Sequence, residues 1–467
     1  MQEGSMQEAP MREDSAAPSA TRPVETAERI SSVDMLRGVA LLGILLMNIQ
    51  SFGLPGAAYD NPRAWGGDSG WNLNYWIANQ IFFEGKMRFL FSLLFGVGAV
   101  LLTERAIERG AGLATADIWL RRCLWMTLFG LVHAYFIWEG DILYTYGLVG
   151  LGLFVFRVLQ PKTLLVTAAA VWLFISISTG AGMVYGAYHT RDEAYAALKV
   201  AEKDRTMKQK SAIEAYQKLL DNEDIVKRRE KIEEELKARR GSYAEAFAFR
   251  APLAFAWQTA FMFKFGVGDV LFPMLLGMAL YKLGILSGGR SFNFYFGWAL
   301  FLYTLGLPVL AYVTKLVVES GWDPWVRPYL YATYEYGRFT VGLGHLFLLL
   351  ALYRSGVLAA PMWVLSKVGQ MAFSNYILTS ILMTLYFNGY GLGNFGKLER
   401  HQLLYVVASM WSINLILSPL WLRWFRFGPL EWAWRSLTYW KRQPFRRALE
   451  LAPDASTKSS DGLPSAV

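Results

Sequence analysis

Ten apolar segments, each close to the roughly 20 residues that cross a bilayer as a helix, constrain the fold of this chain more than any other feature. Inside a bilayer every backbone polar group must be paired within the protein, and long continuous runs achieve this as helices. We therefore predict an all-α polytopic membrane protein with about ten transmembrane helices. The segments lie at about 36–54, 87–104, 121–138, 142–159, 163–186, 264–283, 292–316, 336–354, 367–387 and 402–422.

Charged residues are too few and too unevenly placed for a soluble protein. They make up 18% of the 467 residues, against about 25% in an average soluble domain. Of the 83 charged side chains, 26 fall within residues 191–240. The rest of the sequence suits a lipid-facing surface, which excludes a soluble multidomain enzyme and a disordered chain. The single cysteine, Cys123, also excludes a disulfide-stapled domain.

The distribution of apolar and charged residues divides the chain into five parts. Residues 1–30 and 444–467 are polar and are predicted to be disordered cytoplasmic tails. Residues 31–186 and 251–443 are predicted to form two membrane halves of five spans each. Residues 187–250 lie between them, and their Ala, Glu, Lys and Leu content favours a charged helical insertion outside the membrane.

Basic residues in the short loops predict the orientation. One set of loops and the C-terminal region are rich in Lys and Arg, among them Arg122 and Arg435. The opposite short loops hold only Arg63, Arg327, Lys397 and Arg400. Because basic loops stay in the cytoplasm, we predict a multi-pass protein of the bacterial inner membrane with both termini cytoplasmic and the insertion periplasmic. The same placement of cations argues against a nucleic-acid partner, despite the net charge of +9.

Two segments of the chain resemble each other. Residues 90–96 read LFSLLFG and residues 271–277 read LFPMLLG, and both would enter the membrane from the outer side. Similar segments at related positions are typical of membrane proteins built from two repeats. Two similar five-helix halves are one interpretation, and chance similarity between apolar helices is the other.

Ionisable residues gather at the predicted outer ends of the helices. Glu84, Lys86 and Arg88 open one helix, Asp269 opens another and Arg338 opens a third. Charges within a bilayer are costly and commonly mark substrate sites, and the orientation rule does not require them here. We interpret them as the lining of a polar cavity that opens to the outer face and binds a small, anionic substrate.

His133 is the candidate general base. It lies about one turn from the outer end of its helix, and the tight turn at 138–141 brings Asp141 to a similar depth. A carboxylate that orients an imidazole is a common arrangement for proton transfer. The alternative is a histidine that is hydrogen-bonded to a neighbouring helix and has no chemical role.

Other polar residues of the first helix have simpler interpretations. Asp34 and Arg37, one turn apart, are predicted to form a structural pair. Asn48 is assigned either to helix packing or to substrate contact. No HExxH motif and no paired Cys/His spacing occurs in the sequence, so no metal site is predicted. The sequence has no P-loop either, and ATP-driven transport is not supported.

Seven motifs carry a family resemblance: DMLRGVALLGILLMN at 34–48, FEGKMRFLFS at 83–92, GLVH at 130–133, WEGDIL at 138–143, GQMAFSNY at 369–376, GYGLG at 389–393 and FRFGPLEWAWR at 425–435. They resemble the YeiB-type bacterial inner-membrane proteins, and the C-terminal third resembles that family's characteristic domain of unknown function 418. Asn375, within GQMAFSNY, is assigned to substrate binding.

The opening motif is also similar to that of membrane acyltransferases of the heparan glucosaminide N-acetyltransferase type. This resemblance implies transfer of an acyl group from a cytoplasmic coenzyme A thioester to an acceptor on the far side. The catalytic histidine of those enzymes shortly precedes a Trp-Asn pair. Trp71 and Asn72 are present here, but residues 55–70 contain no histidine. If the chemistry is shared, His133 or Asp68 must supply the base.

Two hypotheses of function follow. In the first, the protein is an acyltransferase-like enzyme, with His133 as the base, Asp141 orienting it, and Lys86 and Arg88 holding an anionic acceptor. Acyl-coenzyme A would be the donor, and no cofactor would be bound permanently. In the second, the protein is a transporter of a small solute or lipid-related substrate, which the same charges bind unchanged. A structural or regulatory membrane protein is a third alternative, and self-association into a homo-oligomer is left open.

Overall fold

The computed structural model describes residues 29–447 except residue 224, and helices dominate it. The predicted tails 1–30 and 444–467 lie outside the described residues apart from 29–30 and 444–447. Within the described residues there is no strand, and extended pairing is limited to one bridge between Phe425 and Arg446. The all-α prediction is confirmed.

Twenty α-helices, numbered in chain order, make up most of the described chain. The first ten are α1 Ser31–Gly53, α2 Ala57–Asp60, α3 Gly70–Ala78, α4 Lys86–Glu108, α5 Ala114–Phe136, α6 Leu143–Leu153, α7 Pro161–Ile175, α8 Gly182–Leu198, α9 Met207–Glu223 and α10 Ile225–Arg240. The second ten are α11 Tyr243–Ala256, α12 Val267–Lys282, α13 Phe292–Glu319, α14 Pro328–Ala332, α15 Tyr334–Gly337, α16 Leu343–Ser355, α17 Ala359–Gln370, α18 Ala372–Phe387, α19 Leu403–Trp424 and α20 Pro429–Tyr439. Four π-helical segments continue or precede them: Asn79–Phe83, Ser176–Ala181, Trp257–Gly266 and Arg338–Gly342.

Seven helical segments of the described chain are long and apolar enough to cross a membrane: Ser31–Gly53, Gly70–Glu108, Pro161–Leu198, Tyr243–Lys282, Phe292–Glu319, Tyr334–Ser355 and Arg400–Trp424. The other three predicted segments also fall on helices. They are α5, which carries Arg121 and Arg122, the shorter apolar segment Leu143–Val158, and α18, which follows α17 after a break at Met371. The chain is a polytopic helical membrane protein.

The charged insertion is helical as predicted. It comprises the end of α8, all of α9 and α10, and the start of α11. The predicted domain boundaries at 186 and 250 fall inside continuous helical segments, Pro161–Leu198 and Tyr243–Lys282. The helices of the insertion are therefore continuous with helices of the membrane bundle.

Helices α4 and α12, which carry the two similar segments, cross with their backbones in close contact. A Cβ on Gly96 would lie 2.0 Å from the carbonyl oxygen of Met274, and one on Gly277 would lie 2.0 Å from that of Leu93. Leu93 and Met274 occupy the same position in the two similar segments. Each glycine therefore contacts the equivalent residue of the other helix, as happens across a two-fold axis. This reciprocity favours a true relationship between α4 and α12 over chance similarity.

We expect Gly96→Ala to lower the free energy of unfolding by about 1–3 kcal/mol, because the added methyl group forces two packed backbones apart. Gly98→Ala on the same helix is the matched control, since a Cβ there meets no atom within 4 Å. The thermal midpoints of both purified variants measure the difference. Equal midpoints would contradict the close crossing.

Candidate functional site

Arg88, Asp269 and Arg338 meet in one ion-pair network at the predicted outer end of the bundle. Asp269 accepts hydrogen bonds from Arg88 Nε at 2.9 Å and from Arg338 Nη1 at 2.7 Å. Arg338 Nη1 also donates to Glu335 at 2.8 Å, and Arg88 Nη2 donates to the Tyr334 hydroxyl at 2.6 Å. The structure therefore brings three of the predicted site residues, Arg88, Asp269 and Arg338, into direct contact.

The network balances its own charges. Two arginines face two carboxylates, and Arg338 is fully buried. Arg88 and Asp269 are 181 positions apart, the same offset as the two similar segments, so equivalent residues pair across the α4–α12 crossing. Because every charge already has a partner, the network is suited to holding α4, α12 and the helical segment Tyr334–Ser355 together rather than to binding an anion.

Glu84 and Lys86 are also satisfied within the protein. Glu84 accepts a hydrogen bond from the Tyr59 hydroxyl at 2.6 Å, and Lys86 Nζ donates to the carbonyl oxygen of Gln80 at 2.6 Å. Gly85 between them has φ of 74°, a conformation that glycine adopts without strain. The side chains point inward from this turn, and Lys86 is 2% exposed. Their polar groups therefore have partners within the protein.

His133 and Asp141 lie close together but form no hydrogen bond with each other. His133 Nδ1 is 3.6 Å from Asp141 Oδ1, and neither ring nitrogen has a hydrogen-bond partner in the described part of the chain. The Asp141 carboxylate instead accepts the backbone N–H groups of Leu143 at 2.7 Å and Tyr144 at 3.3 Å. It therefore caps the N-terminus of α6, and this anchoring holds it beside the imidazole.

The other predicted residues lie apart from these groups. Asp34 pairs with Arg37 at 3.0 Å. Asn375 is buried, and its side-chain amide donates hydrogen bonds to the carbonyl oxygen of Val368 and to the hydroxyl of Ser418. The bond to Ser418, 2.9 Å long, joins α18 to α19. Asn48 is partly buried on α1 and forms no hydrogen bond to the charged network within the described residues.

Asp68, the other candidate base, is exposed. Its carboxylate lies 4.0 Å from Arg63, which is also exposed. No other hydrogen bond or ion pair holds this carboxylate in place within the described residues. Among the two candidates, the buried His133 fits the role of a base better.

A cavity of about 190 Å³ lies on the other side of His133, towards the predicted cytoplasmic end. Its walls come from α1, α4, α5, α6, α17, α18 and α20 and are mostly apolar. On α4 the lining runs from Phe91 to Leu102, a rise of about 16 Å. The inner end is formed by Ile142, Tyr146 and Tyr376, and the ring of Tyr376 lies 5.0 Å from that of His133. The cavity therefore ends one side chain away from the candidate base.

The mouth of the cavity carries an excess of positive charge. The charged lining residues are Arg29, Arg37, Arg122, Arg435, Asp34 and Glu431. Arg29 and Arg37 share Asp34, whereas Arg122 and Arg435 form no ion pair within the described residues. Partial burial in the cavity wall, together with Arg29 and Arg122, lowers the pKa of Arg435. Cations held close together in this way favour the binding of an anionic group.

Glu431 forms no ion pair with these arginines within the described residues, and its hydrogen bonds go to a neighbouring helix. Its carboxylate accepts the backbone N–H groups of Phe373 at 2.7 Å and Ser374 at 3.1 Å, and the Ser374 hydroxyl. It thereby caps the N-terminus of α18 from α20. Burial raises the pKa of Glu431, against the opposing effect of these hydrogen bonds. The motifs GQMAFSNY and FRFGPLEWAWR are therefore two sides of one contact.

The insertion covers the predicted outer side of His133. Ile232 and Leu236 of α10 pack in one apolar cluster with Trp138. Arg239 pairs with both Glu235 and Glu139, the latter in the α5–α6 turn. In the sequence, only the apolar residues Ile232 and Leu236 within the otherwise charged α10 indicate that this helix packs against the bundle.

Sequence reasoning missed the cavity and its mouth. The sequence pattern identifies Arg122 and Arg435 only as orientation signals. It contains Glu431 only as one residue of the FRFGPLEWAWR motif. The described residues contain no group of three or more His, Cys, Asp or Glu side chains that could hold a metal ion.

Comparisons with known proteins find relatives that match most of the chain. The sequence profile of the family described as "Protein of unknown function (DUF418)" matches residues 280–441. The chain is 31% identical to the uncharacterized protein YeiB of Escherichia coli (strain K12), over 88% of this chain and 96% of YeiB. It is 30% identical to the uncharacterized protein YxaH of Bacillus subtilis (strain 168), over 92% of this chain and 99% of YxaH. No solved structure matches the chain significantly.

Proposed function

The chain belongs to the YeiB-type DUF418 family of membrane proteins, and we propose that it is an acyltransferase-like enzyme of the bacterial inner membrane. It would take an acyl group from acyl-coenzyme A and transfer it to an acceptor on the outer side. The observation that carries this proposal is the apolar cavity, which has arginines at its mouth and ends beside His133.

The shape and chemistry of the cavity fit an acyl donor. The arginines at the mouth would hold the anionic phosphates of the coenzyme, and Arg122 and Arg435 are free of carboxylate partners within the described residues. The apolar walls along α4 would hold the pantetheine arm and the acyl group. The orientation predicted from the basic loops would put this mouth on the cytoplasmic side, where acyl-coenzyme A is available.

The proposed reaction needs one base and no bound metal. An acceptor hydroxyl attacks the thioester carbonyl, the new C–O bond forms, and the C–S bond breaks. His133 takes the hydroxyl proton and delivers it to the departing thiolate. Asp141 lies 3.6 Å from the imidazole and would stabilise its protonated form electrostatically. The Tyr376 ring would turn aside to admit the thioester.

Arg88 and Lys86 have a different role in this proposal from the one that the sequence suggested. Their charges are paired or hydrogen-bonded inside the protein, so we assign them to the framework that fixes α4. The transport hypothesis loses support for the same reason, because it relied on those charges to bind the solute.

Filling the cavity tests the proposal. Gly98 lines the cavity, and a Cβ there meets no atom within 4 Å. We expect Gly98→Leu to fold normally but to bind acyl-coenzyme A at least about tenfold more weakly. The leucine side chain would occupy space in the cavity, and the part of the acyl-coenzyme A that it displaces would lose its burial against the apolar wall. Calorimetry on the purified protein and a radiolabelled acyl-transfer assay in liposomes measure both effects.

The matched control is Gly297→Leu on α13, which is exposed and also has no atom within 4 Å of its Cβ. It should bind the donor and transfer the acyl group as the wild type does. Unchanged donor binding in Gly98→Leu would contradict the proposal. Release of an unaltered solute across the liposome membrane, without an acylated product, would favour transport instead.

A further inference from the structure

Tyr376 is the side chain that separates the cavity from His133. It lies on α18, is 6% exposed and lines the inner end of the cavity. The centroid of its ring is 5.0 Å from that of the imidazole. A thioester that reaches His133 from the cavity therefore has to pass this tyrosine, and its carbonyl group would lie beside the ring that it displaces.

The hydroxyl of Tyr376 is buried and forms no hydrogen bond within the described residues. The backbone N–H of Ile142 approaches its oxygen, but an N–H group can only donate, so the hydroxyl proton still lacks an acceptor. The nearby Asp141 carboxylate accepts backbone N–H groups of α6 instead. A buried hydroxyl without an acceptor costs free energy. Its place at the end of a cavity points to an acceptor that arrives with a ligand.

Tyr146, the other tyrosine at the inner end, is already hydrogen-bonded. Its hydroxyl lies 2.7 Å from that of Ser92, and both hydroxyls also reach the carbonyl oxygen of Arg88, at 3.5 Å and 2.9 Å. Whichever hydroxyl donates to the other, both protons have an acceptor within this group. Of the two tyrosines at this end of the cavity, Tyr376 is therefore the one with a proton to donate to a ligand.

The residues just before Tyr376 fix its backbone. Glu431 of α20 caps the first turn of α18, and Asn375 ties the same turn to Ser418 of α19. These contacts give the GQMAFSNY motif a role in placing the tyrosine at the end of the cavity. Because the backbone is held from two sides, only the ring needs to turn when the thioester enters.

We propose that the Tyr376 hydroxyl donates a hydrogen bond to the thioester carbonyl oxygen and stabilises the oxyanion that forms there. The inference rests on the proposed acyl transfer and adds a catalytic residue to it. When the acceptor oxygen attacks, the C–O bond forms and one electron pair of the carbonyl double bond moves onto the carbonyl oxygen. The pair returns as the C–S bond breaks, and the thiolate takes the proton from His133. Tyr376 keeps its own proton throughout, and its hydrogen bond is stronger to the oxyanion than to the carbonyl oxygen.

Tyr376→Phe tests this role, because it removes the hydroxyl and keeps the ring. Loss of one donor to an oxyanion lowers kcat by about 10²–10³-fold, and we expect acyl transfer in liposomes to fall by that factor. The dissociation constant of acyl-coenzyme A, measured by calorimetry, should stay close to that of the wild type. The thermal midpoint should not fall, since the hydroxyl has no hydrogen bond to lose within the described residues. A loss confined to donor affinity, with kcat unchanged, would contradict the inference.

Tyr75→Phe is the matched control. Tyr75 is also buried, but its hydroxyl donates to the carbonyl oxygen of Leu46 at 2.7 Å, and it does not line the cavity. This variant should lower the thermal midpoint and keep the wild-type kcat. Equal losses of kcat in Tyr75→Phe and Tyr376→Phe would mean general damage to the helix bundle and would overturn the inference.

Infrared difference spectra of the bound donor give a readout that needs no turnover. Acetyl-coenzyme A with an isotope label at its thioester carbonyl is added to the purified wild type and to Tyr376→Phe, without an acceptor. A hydrogen bond lowers the stretching frequency of a carbonyl group, so the labelled band should lie lower in the wild type. The same frequency in both proteins would overturn the inference, while acyl transfer by the wild type would leave the proposed enzyme standing. If the wild type neither bound the donor nor transferred the acyl group, both would be wrong.

Discussion

His133→Asn is expected to reduce acyl transfer by about 10²–10⁴-fold, the usual contribution of general acid–base catalysis, while the protein remains folded. Asparagine has a similar volume but cannot accept a proton near neutral pH. The side chain of His133 has no hydrogen bond to lose within the described residues, so its replacement should leave the thermal midpoint close to that of the wild type. Initial rates of transfer from labelled acyl-coenzyme A provide the measurement.

Asp141→Asn is the companion variant. We expect a smaller loss of activity, because the imidazole remains but its protonated form loses a nearby charge. The cap on α6 is weakened as well, which should cost about 0.5–2 kcal/mol of stability. The losses of activity should not add in the double variant, since both residues act on one proton transfer. An unfolded His133→Asn protein, or full activity in it, would contradict the assignment of the base.

Asp269→Asn is expected to have the largest effect on stability. The substitution leaves Arg88 and Arg338 with one carboxylate fewer in a buried network. Breaking a buried pair by removing one partner costs about 3–5 kcal/mol. We therefore expect a strongly lowered thermal midpoint and a low yield of folded protein, measured by size-exclusion chromatography of the detergent extract.

Glu104→Gln is the control for this prediction. Glu104 lies near the other end of α4 and is partly exposed, where an ion pair contributes about 0–1 kcal/mol. Its yield and midpoint should match the wild type. If Asp269→Asn were equally well tolerated, the network would not be the framework that holds α4 and α12.

The fold could largely be predicted from the sequence because apolar segment length is a local property. All ten predicted segments fall on helices. The break at Met371 and the π-helical segment at Trp257–Gly266 were not predicted, because both depend on packing between helices. Similarly, the resemblance of 90–96 to 271–277 was visible, but the crossing at Gly96 and Gly277 was not.

The site was predicted only in part, for a physical reason. The convergence of Arg88, Asp269 and Arg338 followed from their common depth in the membrane. Their mutual neutralisation did not, because a pair separated by 181 positions leaves no local pattern. The sequence does not reveal the cavity, because seven helices contribute to it and the apolar residues of its wall look like ordinary lipid-facing or core positions.

Photo-crosslinking with an acyl-coenzyme A analogue that carries a diazirine on its acyl chain tests the central claim most directly. If the cavity holds the donor, mass spectrometry should find the label on α4 between Phe91 and Leu102, and on Met126 or Tyr146. Gly98→Leu should abolish this labelling, and Gly297→Leu should not. Labelling that is confined to the exposed faces of α13 and α19 and is unaffected by Gly98→Leu would show that the acyl chain of the analogue only partitions into lipid. That result would contradict the account.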